Sequence, residues 1–280
     1  MKTFVRRHFK DEYGVEFSTC GDITVLTRMP KDFVGAYRVP DFVSSIGLCA
    51  INGCNGLTSL VIPKSVTVIE KDNFELCEQL ASLVVEQGNP MFDSRDNCNA
   101  IIVTATNTLV HGCNGSSIPK GIEVIADSAF SQRRNLSSIS IPDSVVYIGE
   151  FAFLCCFSLE SDILLQGIHQ VTRCCFDGCS RLKKVSIGSG IESVESGAFA
   201  SCSMLSDVVI TEGTKYIGTY AFDNCNNLVS ITLPKSIELI ESSSFDRCNR
   251  IERVFIPQGT TDYFMRFDAL KQYRHRLIEL

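Results

Sequence analysis

Between Leu228 and Pro234 the chain reads LVSITLP, with Leu228, Ile231 and Leu233 interleaved by small or polar residues. That near-alternation predicts a strand with one buried face. Pro234 ends it, because proline has no N–H to give a ladder. A second short apolar pair follows, Ile237 and Ile240, and then a turn into Phe245. The same order recurs along the chain. Phe130, Phe153, Phe176, Phe199, Phe222 and Phe245 are each 23 residues apart, and Ile51 and Phe74 keep the same spacing. Three residues after these markers stand Cys54, Cys77, Arg133, Cys156, Cys179, Cys202, Cys225 and Cys248. Three further on stand Leu57, Leu80, Leu136, Leu159, Leu182, Leu205, Leu228 and Ile251. A unit this short cannot bury its own apolar face, whereas stacking on neighbours buries it in continuous ladders. The pattern predicts a mainly β repeat solenoid with a parallel sheet along one side.

The regularity breaks in three places. Phe74 and Phe130 are 56 residues apart, one unit plus an insertion at about residues 88–117. Within it, AIIV and TLVH flank TATN, which reads as a β-hairpin. The N-terminal stretch VEFS, TCGD, ITVLTRMP is built alike. After Pro257 the pattern stops. Thr261 or Asp262 then reads as an N-cap, with Phe264, Phe267 and Leu270 at helical spacing and basic residues in the last turns. The expected organisation is a hairpin cap over 1–38, a repeat array over 39–257 carrying the inserted hairpin, and a capping helix over 258–280.

Charge and composition narrow the function. The formal net charge is −6 with no long run of like charge. No basic footprint for nucleic acid or a membrane surface is evident. No apolar stretch approaches the length of a membrane span. The N-terminal MKTFVRRHFKDEYGVEF lacks the apolar core of a signal peptide, so the chain reads as soluble and not visibly exported. A monomer without cofactor is expected.

Fourteen cysteines invite four readings: disulfides, zinc, a nucleophile or packing. Turns about 4.8 Å apart make bridges between them conceivable. A bridge in every layer would need alternate pairing, and Arg133 takes one position. Buried reduced cysteine acting as a small hydrophobe is the favoured reading. Cys155-Cys156 and Cys174-Cys175 look metal-like, but no second pair of ligands has zinc spacing. His169 lies five residues before Cys174 without a third orienting group. The four histidines read as surface residues. No phosphate-binding loop, dinucleotide fingerprint, H-E-x-x-H or G-x-S-x-G is present. An enzyme of unrecognised class is the third choice.

The outward strand positions are the candidate site. One row reads Val61, Val84, Ser140, Ile163, Ser186, Val209, Thr232, Phe255, and its neighbour Ser59, Ser82, Ser138, Ser161, Lys184, Asp207, Ser230, Arg253. A surface of Ser, Thr and aliphatics suits an extended partner; strand propensity plus solubility gives the same mix. The centre is placed at Ser138, Ser140, Ser161, Lys184, Ser186, Asp207, Ser230 and Thr232. The inserted hairpin near 101–111 is the competing contact surface. Asp162 falls where other copies are apolar, and Leu165 replaces the strand-ending proline. A buried lone carboxylate is costly, so this copy is expected to shift register or bulge, with a ligand site as the alternative.

The units resemble BspA-like (Treponema pallidum type) leucine-rich repeats, L-x-x-L-x-L-P-x-x-L-x-x-I-x-x-x-A-F-x-x-C, over about Val39 to Pro257. The hairpins and their following prolines, Pro40 and Pro119, also resemble BspA-like proteins of gut Bacteroidetes. The resemblance implies a right-handed coil with one parallel sheet on its concave side and a tight helical turn at the AF pair. It implies cell-surface recognition or adhesion, with a protein or surface glycan as ligand. An intracellular interaction scaffold is the alternative, since reduced thiols suit the cytosol as well as an anaerobic surface.

Overall fold

The structure is a computed structural model describing residues 6–280. The chain divides into two compact units, Met1–Pro119 and Lys120–Leu280.

In the first unit, β1 (Arg7–Lys10), β2 (Glu16–Cys20) and β3 (Ile23–Arg28) form an antiparallel meander. The β2–β3 hairpin follows the sequence reading; β1 is an additional strand that the pattern did not reveal, because its four residues are all exposed. The reading of the cap over residues 1–5 lies outside the described residues. Parallel stacking begins at once: β3 pairs with β5 (Ser45–Ile46), and β5 with β7 (Val68–Ile69). On the other side β4 (Val34–Arg38), β6 (Gly56–Ile62) and β8 (Ser82–Val85) form a second parallel sheet. The insertion adds β9 (Phe92–Asp93) and the hairpin β10 (Ala100–Val103)–β11 (Thr108–Gly112). Asn107, in the left-handed region, leads from its short turn into β11. Ile101, Ile102 and Leu109 are fully buried, so the hairpin gives its apolar side to the core. Only its tip, Thr104–Thr106, is exposed.

The second unit carries the regular copies. β12 (Val124–Ile125) pairs in parallel with β13 (Tyr147–Ile148). β14 (Ile163–Leu165), β16 (Lys184–Ile187), β18 (Asp207–Ile210), β20 (Ser230–Thr232), β22 (Arg253–Ile256) and β23 (Leu277–Glu279) make a six-stranded parallel sheet. β15 (Gln170–Val171), β17 (Ser193–Val194), β19 (Tyr216–Ile217) and β21 (Leu239–Ile240) make a four-stranded one. Phe130 to Phe245 form a spine with successive ring centroids 5.0–5.4 Å apart and ring planes within 8° of each other. Burying each ring contributes roughly 1.5–3 kcal/mol, and ring contact adds about 0.5–1.5 kcal/mol more.

The segment around each phenylalanine is not the helical turn the resemblance implies. Phe151 and Cys155, flanking Phe153, both have φ 58°. The same left-handed flanks recur as Cys174 and Gly178, Gly197 and Ser201, Tyr220 and Asn224. A helix would aim every N–H along its own segment. Alternating hands aim alternate N–H groups at the next turn. Phe151, Phe153 and Cys155 donate to the carbonyls of Arg173, Cys175 and Asp177 at 3.1, 2.8 and 2.7 Å. A left-handed non-glycine residue costs about 1–2 kcal/mol, which these bonds between turns offset.

The copy around Asp162 slips by one residue. Ile163, Leu164 and Leu165 pair with Val185, Ser186 and Ile187, a spacing of 22, while Lys184 pairs with Asp207 at the regular 23. The slip leaves Asp162 exposed and turns Ile163 into the core. This is the shift that burial of a lone carboxylate would force. Ile163, expected outward, is replaced there by Leu164, which is 54% exposed.

Beyond Pro257 the expected single helix is absent. Two one-turn helices form, α1 (Thr261–Phe264) and α2 (Asp268–Lys271), broken where Phe267 takes an extended conformation. Phe264, Phe267 and Leu270 are buried as a cap requires. The chain then returns as β23 and pairs with β22, adding another strand to the sheet.

Candidate functional site

The cysteine series shows first what the repeated thiol does. Cys156, Cys179, Cys202, Cys225 and Cys248 are at most 1% exposed. Each places Sγ 3.0–3.3 Å from the carbonyl of the marker phenylalanine one turn earlier: Phe130, Phe153, Phe176, Phe199 and Phe222. In the first unit Cys77 does the same to Ile51 at 3.3 Å. The side chain is both a space filler and a weak donor to a buried carbonyl. Burial raises the thiols of Cys179, Cys202 and Cys225 well above the ordinary value. A thiol so held is a poor nucleophile. Among the described residues no group of three or more His, Cys, Asp or Glu is placed to hold a metal. His169 is exposed, and the Cys174 thiol points instead to the Ser196 carbonyl, 3.9 Å away. His111 departs from the surface reading: it is half-buried with its ring 4.9 Å from that of Phe74.

The outward rows of the β14–β23 sheet are in register. One runs Leu164, Ser186, Val209, Thr232, Phe255, Ile278, and the next Lys184, Asp207, Ser230, Arg253. The ladder fixes each side chain about 4.8 Å from the next. Asp207 is the hub of the second row. Ser230 Oγ donates to its Oδ1 at 2.6 Å and Ser206 Oγ to its Oδ2 at 2.8 Å. The Ser230 hydroxyl, with Ser206, Lys184 and Arg253, holds this carboxyl below the usual range. Ser230 is accordingly 9% exposed and is committed to Asp207. Val209, Thr232 and Phe255, with Pro234, Pro257 and Leu280, line an apolar groove of about 330 Å³.

Of the eight predicted residues, Lys184, Ser186, Asp207, Ser230 and Thr232 thus share one ladder. Ser138 and Ser140 are exposed but lie in a segment that forms no strand. Ser161 accepts the Ile139 N–H at 3.1 Å. Where the slip opens the sheet, a cavity of about 240 Å³ lies between Ser140, Asp143, Asp162 and Leu164. Sequence reasoning missed Leu164 and Ile278. The misplaced Asp162 was a signal for the first, and the apolar Leu277-Ile278 pair near the C-terminus for the second.

Stacked parallel strands, a phenylalanine spine and a rigid outward row define a leucine-rich-repeat solenoid. The chain belongs to the BspA-type leucine-rich repeat family: the model described as BspA type Leucine rich repeat region (6 copies) matches residues 35–111, 108–215 and 195–267. A leucine-rich repeat protein from Eubacterium ventriosum is similar at 26% identity and TM-score 0.61, over 76% of this chain and 64% of that one. A leucine rich cell surface protein from Faecalibacterium prausnitzii shares the fold at 21% identity and TM-score 0.55, over 85% and 63%. So does the pneumococcal vaccine antigen PcpA, at 16% identity and TM-score 0.55, over 88% and 66%. The chain covers slightly less than two thirds of the length of each. No curated protein matches it.

Proposed function

We propose that this chain is a non-enzymatic recognition module that binds a protein or surface glycan through the outward face of the β14–β23 sheet. The observation that carries the reading is the register-fixed row from Leu164 to Ile278 beside the Asp207 row. Such a row offers many weak contacts at fixed spacing and needs no reactive group. Asp207, with one serine hydroxyl on each carboxylate oxygen and held below the usual carboxylate range, is a poor proton shuttle. The buried hairpin strands leave the insertion only its tip for contact, which favours the sheet. A cell surface protein and a vaccine antigen among the similar folds support an adhesive setting. The exposed free thiols of Cys20 and Cys49 favour a second reading, an intracellular scaffold, equally well served by this face.

The test is a screen of the full chain on immobilised matrix proteins and a glycan array, beside a variant carrying Ser186→Glu and Thr232→Arg. Both side chains point away from the core, so folding should be unchanged. Binding to any hit should fall about tenfold or more, the loss expected for a central contact. A hit held equally by the double variant would place recognition elsewhere.

A further inference from the structure

The N-terminal meander holds a charged cavity. The registers of β1–β2 and β2–β3 set Lys10 opposite Glu16 and Glu16 opposite Arg28. Directly opposed residues share a face of the sheet, so the three side chains form a row: cation, carboxylate, cation. The β2–β3 register shifts between Glu16 and Phe17, a bulge of the kind that re-aims side chains. The turn after β3 brings round Pro30, Lys31 and Asp32, and the β1–β2 turn supplies Gly14. Between them lies a cavity of about 380 Å³, within the roughly 300–1,000 Å³ of small-ligand sites.

The charge is mixed, with an excess of cations. Lys10 Nζ holds Glu16 Oε1 at 3.0 Å. Among the described residues, Arg28, Lys31 and Asp32 have no ion-pair partner. Three cations against two carboxylates leave the lining at a net +1. The positive field is felt inside it: Lys10 first, with Arg28 and His8 behind it, holds the Glu16 carboxyl below its ordinary range. Tyr13 and Phe33 are the chain neighbours of the lining residues Gly14 and Asp32. Their rings meet edge to face at 6.3 Å, and Tyr13 meets Tyr37 likewise at 6.0 Å. Tyr13 is nevertheless 58% exposed, a braced ring with an open apolar surface and a wet hydroxyl.

This mixture selects its ligand. A polyanion would meet Glu16 and Asp32, and an apolar molecule would strand the charges. A single carboxylate answers the net charge, and the Arg28 guanidinium is shaped to take one with two parallel N–H bonds. The two carboxylates of the lining only accept hydrogen bonds, so the rest of the ligand has to donate them, as hydroxyls do. A zwitterion carries no net charge and leaves the excess cation unanswered.

We propose that this cavity binds an acidic sugar unit, a hexuronic or sialic acid, with its carboxylate on Arg28 and Lys31, its hydroxyls on Glu16 and Asp32, and Tyr13 beside the ring. The site belongs to a different unit from the β14–β23 face and stands or falls separately.

The test is a titration of the full chain, followed by saturation-transfer NMR at neutral pH, with the methyl glycosides of glucuronic acid and N-acetylneuraminic acid. Methyl glucoside, acetate and glycine are the comparators. At least one acidic glycoside should bind, about tenfold or more tighter than any comparator. Arg28 is exposed, so Arg28→Gln should leave the fold intact and weaken that binding about tenfold. Lys235→Gln removes the same charge from an exposed side chain of the second unit and should change it less than about twofold. Lys31→Gln should cost about threefold and serves if the Arg28 variant folds poorly. Failure of both acidic glycosides to bind, a comparator bound as tightly, or equal loss in the Arg28 and Lys235 variants would overturn the proposal.

Discussion

Each ladder cysteine does two small things at one position: it fills the layer behind a phenylalanine and caps that layer's carbonyl. Its place was legible in the sequence as a spacing, and its burial followed from the solenoid. The carbonyl contact was not legible, because it joins residues 26 apart through a bend whose handedness no residue type announces. Phe151, Cys155 and Tyr220 adopt left-handed φ with no glycine to mark them. Cys202→Ala should destabilise the chain by about 1–3 kcal/mol, a cavity plus a lost donor, read as a denaturant midpoint. An unchanged midpoint would mean the layer closes without it. The thiols also set an alkaline limit. Burial pushes Cys98 up to about 11 and Cys54 up to about 12, from an ordinary 9.0. The unfolded chain therefore loses these protons first, and stability falls as pH rises from about 9 toward 12, being fully present below that window. Melting temperature should decline from about pH 9 onward; a flat profile to pH 10.5 would refute it.

At the scale of elements, strands and hairpins were legible wherever alternation was clean, and the slipped copy was legible as a conflict. Asp162 sits at an inward position, and the chain resolves this by moving one residue rather than burying the charge. Asp162→Val should let the copy return to the regular spacing. Amide exchange at Ile139 to Ile141, which share no ladder with β14, should slow as the gap closes; unchanged exchange would mean the slip has another cause. The C-terminal segment misled because Phe264, Phe267 and Leu270 suit a helix and a pair of turns alike. What the sequence does not display is Phe267's extended backbone, which lets the chain come back as β23. Deleting residues from Thr261 onward would bare both the apolar layer and the β22 edge. Loss of solubility or association in sedimentation should follow. A truncated chain that stays monomeric and equally stable would show that the segment caps nothing.

For the molecule as a whole, the repeat period predicted the architecture, since one unit's face is buried only by the next. The candidate face was legible as rows, but its energetics were not. That Asp207 would engage Ser230 follows from register, and register was disturbed one strand away. The phenylalanine spine and the bonds from turn to turn have a mechanical consequence. Within the regular copies, each turn is held chiefly by its immediate neighbours. Tension on the ends should peel turns off singly, each freeing 23 residues or about 75 Å of extended chain. In an optical trap this would appear as a staircase of equal steps. A tether made of this chain would yield by paying out length under load, keeping the remaining turns folded.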